Sequence, residues 1–199
     1  MSARPEVWTL VLAAGGSRRL GSPKQALPVG AQTLLYRAVD QANIATPDNV
    51  VCVLGAYQPL SPLPCQTSNN RLWQTGMASS IVAGIKVVPT NASVLITVCD
   101  QPGVRADHLA QLIACHHQDP SFAVAACYAG KAGVPAVFPA IAQPTLLQLR
   151  GDEGARKVLR DGALKVKTVD IPEAASDIDT QADWAQWRNN ANDKLLHQD

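Results

Sequence analysis

Four uninterrupted apolar runs, Val7 to Ala14, Val50 to Leu54, Val94 to Cys99 and Phe122 to Cys127, constrain this chain more than any other feature. Each has the length of a strand and none alternates apolar with polar, so each is expected to be buried on both faces, as when helices cover both sides of a mostly parallel sheet. Helix-periodic stretches lie among them at Thr33 to Asn43, Ser79 to Val88, Ala106 to His117, Pro139 to Leu149, Gly154 to Arg160 and Thr180 to Asn190. Weaker strands are predicted at Val134 to Phe138 and Lys165 to Val169. The pattern reads as an α/β fold, and 199 residues suit a single domain with a sizeable core. Thr33 and the pair Thr180 and Asp183 are natural helix caps, and Asp107 or its neighbours can open the third helix.

Seventeen Lys+Arg against sixteen Asp+Glu leave a formal charge of +1, so bulk electrostatics draw the protein neither to nucleic acid nor to an anionic membrane. No apolar run approaches the roughly 20 residues of a membrane span, and Met1 to Pro5 lacks a signal-peptide layout. A cytoplasmic location without membrane partners is the expectation. The five cysteines are odd in number and widely spaced, which argues against both a disulfide framework and zinc; Cys52, Cys99 and Cys127 should act as small core hydrophobes. His108, His116, His117 and His197 carry no ligand spacing and are expected at the surface. Three prolines between Tyr57 and Thr67 exclude regular helix there, and the polar tail from Asn189 to Asp199 is expected to fray.

The segment Leu12 to Pro28 follows the first strand directly and holds Gly15, Gly16, Gly21, Arg18, Arg19 and Lys24. In an open α/β sheet ligands bind beyond the carboxyl ends of strands, and small residues there let backbone N–H groups approach phosphate oxygens. Three cations in one such loop match a polyphosphate. Two common phosphate loops do not fit. Gly16 to Gly21 has P-loop spacing but is followed by Ser22 and Pro23, and adjacent Gly15 and Gly16 break the dinucleotide fingerprint, whose ribose-binding acid is also missing after the second strand.

The segment resembles the L-A-A-G signature loop of MobA-like nucleotidyltransferases, in the larger sugar-nucleotide pyrophosphorylase superfamily. Further segments resemble that family in the same order: Gly76 to Ser80 with Gly84, Cys99 to Pro102, Gly133 to Pro135 with Phe138, and Gly151 to Arg156. The subgroup most resembled is the molybdenum cofactor cytidylyltransferases. The resemblance implies a three-layer α/β/α, Rossmann-like fold of the nucleotide-diphospho-sugar transferase type. Within it, a nucleotide-binding half would span about 5–105 and an acceptor-binding half about 106–190, with a frayed tail at 191–199.

The same resemblance implies Mg²⁺-dependent transfer of CMP from CTP to the phosphate of molybdopterin, with release of pyrophosphate. GTP, or a different phosphorylated acceptor, is the alternative within the class. A non-catalytic nucleotide- or cofactor-binding accessory to molybdoenzyme maturation, in contact with a molybdoenzyme or its chaperone, is the alternative outside it. Leu12, Ala13, Ala14, Gly15, Gly16, Ser17, Arg18, Gly76, Ser80 and Asp100 would bind nucleotide, with Trp73 and Arg71 flanking. Arg19, Lys24 and Asp100 would be catalytic, and Gly133, Pro135, Gly151, Asp152 and Arg156 would face the acceptor.

Asp100 stands just after an apolar run, so it should project from the rim beside the glycine loop, where it can ligate magnesium or cap the next helix. Asp179, in Asp177 to Thr180, has the same two readings: second metal ligand or helix cap. Two phosphate reactants need no serine, cysteine or histidine base, only positioning and charge stabilisation.

Overall fold

The computed structural model describes residues 4–196. In chain order the elements are β1 (Val7–Leu12), a short hairpin of β2 (Pro28–Val29) and β3 (Gln32–Thr33), α1 (Leu34–Ala45), β4 (Val50–Leu54), β5 (Gln66–Asn69) and α2 (Met77–Ile85). There follow β6 (Ser93–Val98), α3 (Ala106–Gln118), β7 (Ala123–Tyr128), β8 (Lys131–Phe138), α4 (Gln143–Leu146), α5 (Ala155–Arg160), β9 (Val166–Asp170) and α6 (Gln181–Leu196). Seven strands form one sheet in the order β5-β4-β1-β6-β8-β7-β9, with β8 antiparallel to both neighbours and the other pairings parallel. The result is the expected three-layer α/β/α fold.

Burial explains which strands the sequence reveals. β1, β4 and β6 are apolar almost throughout because both of their faces are covered. On one face Leu10, Leu12, Val53 and Ile96 pack with Ile81 of α2, Leu146 of α4 and Val158 of α5. On the other, Val11 and Cys52 pack with Leu35 and Val39 of α1, while Leu95, Val124 and Val137 pack with Leu109 and Leu112 of α3. β5 is an edge strand of sequence QTSN, largely exposed, so no apolar run announces it at the end of the proline-rich connection. A fourth cluster joins Leu20, Val29, Leu34, Ile178 and Trp184, which seats α6 against the loop that follows β1.

Several expectations need correction. The helix predicted from Pro139 to Leu149 is a 3₁₀ turn at Ala140–Ala142 followed by the four-residue α4, with Pro144 in its first turn. His116 is fully buried rather than at the surface, because its ring satisfies Ser93 Oγ and the Phe122 carbonyl, each at 2.9 Å; His108 is also buried. The tail expected to fray is helical as far as Leu196, and its last residues, 197–199, lie outside the described ones. Cys52 and Cys99 are buried free thiols, as expected, whereas Cys127 is half-buried.

Candidate functional site

The chain leaves β1 toward β4 and β5 on one side, and returns to place β6 on the other side of β1. Where strand order reverses in this way, a crevice opens beyond the carboxyl ends of the two central strands. Leu12 and Val98 are register partners, and Cys99 N donates to the Leu12 carbonyl at 3.2 Å, so the glycine loop and Asp100 emerge side by side. A cavity of about 1030 Å³ lies at that rim.

One ammonium organises the site. Lys24 Nζ donates to Asp100 Oδ2 and to Asp179 Oδ1, both at 2.7 Å, and Arg19 Nη2 donates to Asp179 Oδ2 at 2.8 Å. Burial works against the Lys24 charge, but Asp100 and then Asp179 override it, holding its pKa above the ordinary lysine value. Asp179 is pushed up by burial and pulled down further by Lys24 and Arg19, so it stays below the usual aspartate range and ionised. The thiol of Cys99, buried beside Asp100, is pushed up to about 12, which removes it as a nucleophile. Burial and the nearby Asp100 raise the pKa of Asp177, on the cavity wall.

The local structure decides between the two readings of each carboxylate. Helix α3 begins at Ala106, with Arg105 at its N-cap, so Asp100 caps nothing. At α6, Thr180 and Asp183 close a reciprocal capping pair: Asp183 Oδ2 accepts from the Thr180 amide and hydroxyl at 2.7 and 2.8 Å, and Asp183 N donates to Thr180 Oγ1 at 3.2 Å. With that helix end satisfied, the Asp179 carboxylate faces Lys24 and Arg19.

Leu12, Ala13, Ala14, Gly15, Gly16, Ser17, Arg18 and Arg19 all line the cavity, as do Gly76, Ser80, Asp152 and Arg156. Trp73 lines it too, with its ring so close over Gly16 that a Cβ there would come within 2.7 Å of it; Arg71 does not. Gly133, Pro135 and Gly151, expected to face the acceptor, do not line the cavity. A Cβ at Gly133 would collide with Tyr128 Oη and Arg156 Nη2, which themselves meet at 2.9 Å, so Gly133 makes room for that pair. Gly151 accepts from Ala78 N at 3.1 Å, and Gly76, at φ +112°, packs so tightly on Gly151 that no side chain fits. Sequence reading missed Tyr128, Lys157 and Arg160 on the wall, and the buried Gln25 behind the loop. Arg156 and Arg160 stand four positions apart on α5, a usable signal for Arg160; Gln25 carried none.

Two carboxylates within 2.7 Å of one cation are a hard-oxygen donor set, and this geometry suits a divalent ion. Among the described residues no group of three or more His, Cys, Asp or Glu side chains is arranged to hold a metal. An ion at Asp100 and Asp179 would therefore need oxygens from a substrate or water. The arrangement can gather and neutralise a polyphosphate; it contains no nucleophile and base in contact. Among the described residues no helix is long and apolar enough to cross a membrane.

Comparison with known proteins accords with this geometry. Residues 9–168 match the family model described as the MobA-like NTP transferase domain. The chain is 31% identical over 195 residues to nicotine blue oxidoreductase of Paenarthrobacter nicotinovorans, covering 88% of this chain and 93% of that one. It is 29% identical over 179 residues to the purine catabolism protein PucB of Bacillus subtilis strain 168, covering 80% and 83% respectively. The crystal structure of Rv0371c from Mycobacterium tuberculosis H37Rv in complex with manganese is 25% identical with a TM-score of 0.71, and the match covers 91% of this chain and 97% of that one.

Proposed function

Because this chain belongs to the MobA-like NTP transferase family, we propose that it transfers the nucleotidyl group of CTP to the phosphate of a molybdopterin-type acceptor and releases pyrophosphate. The observation that carries the reading is the Lys24 ammonium shared by Asp100 and Asp179 at the mouth of the glycine loop. An acceptor phosphate oxygen attacks the α-phosphorus, the bond to the bridging β-phosphate oxygen breaks, and the electron pair leaves with pyrophosphate. The attacking oxygen is already ionised, so no general base is required.

Lys24, kept cationic by its two carboxylates, would neutralise the charge that grows around the α-phosphoryl group, and Arg19 would hold the departing pyrophosphate. Magnesium, which the family chemistry implies, would be held by Asp100 and Asp179 and would neutralise phosphate charge; the manganese complex of Rv0371c supports dependence on a divalent ion. Ala13, Ala14, Gly76 and Ser80 would border the base. Asp152 and Arg156 would face the acceptor, with Tyr128 steadying Arg156.

Cytidine as the base rests on the resemblance of Leu12 to Gly15, Cys99 to Pro102 and Gly151 to Arg156 to the cytidylyl subgroup. A relative named as an oxidoreductase brings hydride transfer forward as a second reading. Against it stand the adjacent Gly15 and Gly16 and a β4 that ends at Leu54 with no acidic residue for a ribose.

The test is a thermal-shift panel of CTP, GTP, ATP, UTP and NADPH, the triphosphates with magnesium, followed by pyrophosphate release with a phosphorylated pterin. Stabilisation by CTP together with pyrophosphate release is expected. Stabilisation by GTP alone moves the reading to guanylyl transfer, by NADPH alone to hydride transfer, and binding without release to an accessory role.

A further inference from the structure

The glycine loop encloses a carboxamide to which the proposed chemistry gives no part. Gln25 is 1% exposed, yet its side chain spends every polar group on the loop. Nε2 donates to the carbonyls of Ala13 at 2.7 Å and Gly15 at 2.8 Å, and Oε1 accepts from Ser17 Oγ at 3.4 Å. Ser17 Oγ in turn accepts from the amide of Lys24 at 2.9 Å, which ties this circuit to the residue beside Gln25.

The neighbouring carbonyls are also taken: that of Leu12 accepts from Cys99 N at 3.2 Å, and that of Ala14 from Ala56 N at 3.1 Å. Four successive carbonyls, residues 12–15, are thus held. The N–H groups of Ala14, Gly15, Gly16 and Ser17 reach no backbone carbonyl among the described residues. In a trans peptide the C=O and N–H point in opposite directions, so a carbonyl drawn toward Gln25 turns the following N–H away from it.

We propose that Gln25 is a positioning residue for the anion-binding loop: by holding the Ala13 and Gly15 carbonyls it aims the amides of Ala14 and Gly16 at the phosphates of the nucleoside triphosphate. The inference rests on the nucleotidyltransferase reading of the site. Only a carboxamide does this here, since it offers two N–H donors together with an acceptor. Leucine matches its bulk but donates nothing, and an ionised carboxylate would repel both carbonyls. Freed from Gln25, those carbonyls would be two unsatisfied acceptors, that of Ala13 buried, able to turn toward an incoming anion.

The experiment titrates inorganic triphosphate with magnesium into the full chain and into Gln25→Leu and Gln25→Glu between pH 8 and pH 6, with thermal melts as the check on folding. Affinity about 10- to 100-fold below wild type is expected for both variants at pH 8. The ratio of Gln25→Glu affinity to wild-type affinity should rise as the pH falls, because the introduced carboxyl donates a hydrogen bond only when protonated. Melts recorded at each pH separate this from a lesion of the whole fold, which would lower the melting temperature in step with the affinity. Wild-type affinity in either variant at pH 8, or a pH-independent ratio, overturns the assignment; if Gln25→Leu fails to fold, the Gln25→Glu ratio alone decides. A wild-type chain that binds no triphosphate overturns the nucleotidyltransferase reading, and the role of Gln25 with it.

Discussion

Lys24, at one end of the cavity, is held by carboxylates 76 and 155 residues away in the chain, whereas Lys157, at the other end, is held by Glu153 one helical turn away. The first ion pair is partly buried, with the Lys24 side chain 11% exposed; the second is open to water at 44%. Exposed i,i+4 pairs contribute a few tenths of a kcal/mol and shift easily, while a buried ammonium between two carboxylates is fixed by the fold around it. The end that binds triphosphate in the proposed reaction is therefore built into the sheet, its parts set by β1, β6 and the α6 cap. The end assigned to the acceptor is built from the six-residue helix α5 and a hairpin. In the proposed reaction, chemistry would sit on the rigid part and selectivity on the part that substitution can most readily remodel.

Substitutions at each end can break this contrast. Lys24→Ala or Asp100→Ala is expected to lower pyrophosphate release by about 10³-fold while leaving the cooperative melt in place; turnover near wild type would remove the distinction. Gly76→Ala acts at the seam between the two ends. Its positive φ and contact with Gly151 should cost about 2–4 kcal/mol in a urea melt, and loosen both ends together. Arg156→Ala should raise KM for the acceptor about 10-fold with nucleotide affinity unchanged, which steady-state kinetics in each substrate would separate. An equal loss for both substrates would mean that the ends are not independent.

The smallest effect is expected far from either end. Burial holds the pKa of His116 below its ordinary 6.5, so the unfolded chain takes up the proton more readily than the folded one. The stability from this group is present above pH 6.5 and is lost as the pH falls through that value toward the folded pKa, with a slope of at most ~1.4 kcal/mol per pH unit. Urea midpoints between pH 5 and 8 should show a shallower acid slope in His116→Gln than in wild type.

Much of this contrast was legible in the sequence at the rigid end and little at the other. Asp100 was placed correctly because an apolar run stops beside it, and a run buried on both faces must end at a rim. Asp179 was ambiguous because Asp179 and Thr180 are both good caps, and only the bonds from Asp183 show which one serves. Gln25 left no trace in the pattern, since its partners are main-chain carbonyls and any sequence has those. His116 was misjudged because a histidine in the last turn of an amphipathic helix looks the same whether it meets water or Ser93. β5 was hidden by its exposure, and Tyr128 by the fact that its role depends on the space left at Gly133.

The pairing of Lys24 with Asp179 also sets a timetable. At roughly 5–20 residues per second of synthesis, the 155 residues between them take about 8–30 s to appear. Through about the second half of that interval a growing chain can pair β1 with β4 and β6 and offer Lys24 its first carboxylate, 76 residues on, but not its second. The charge balance of the site is thus completed only once Asp179 has emerged, and a chain truncated after residue 175 should bind triphosphate more weakly than one extended past α6.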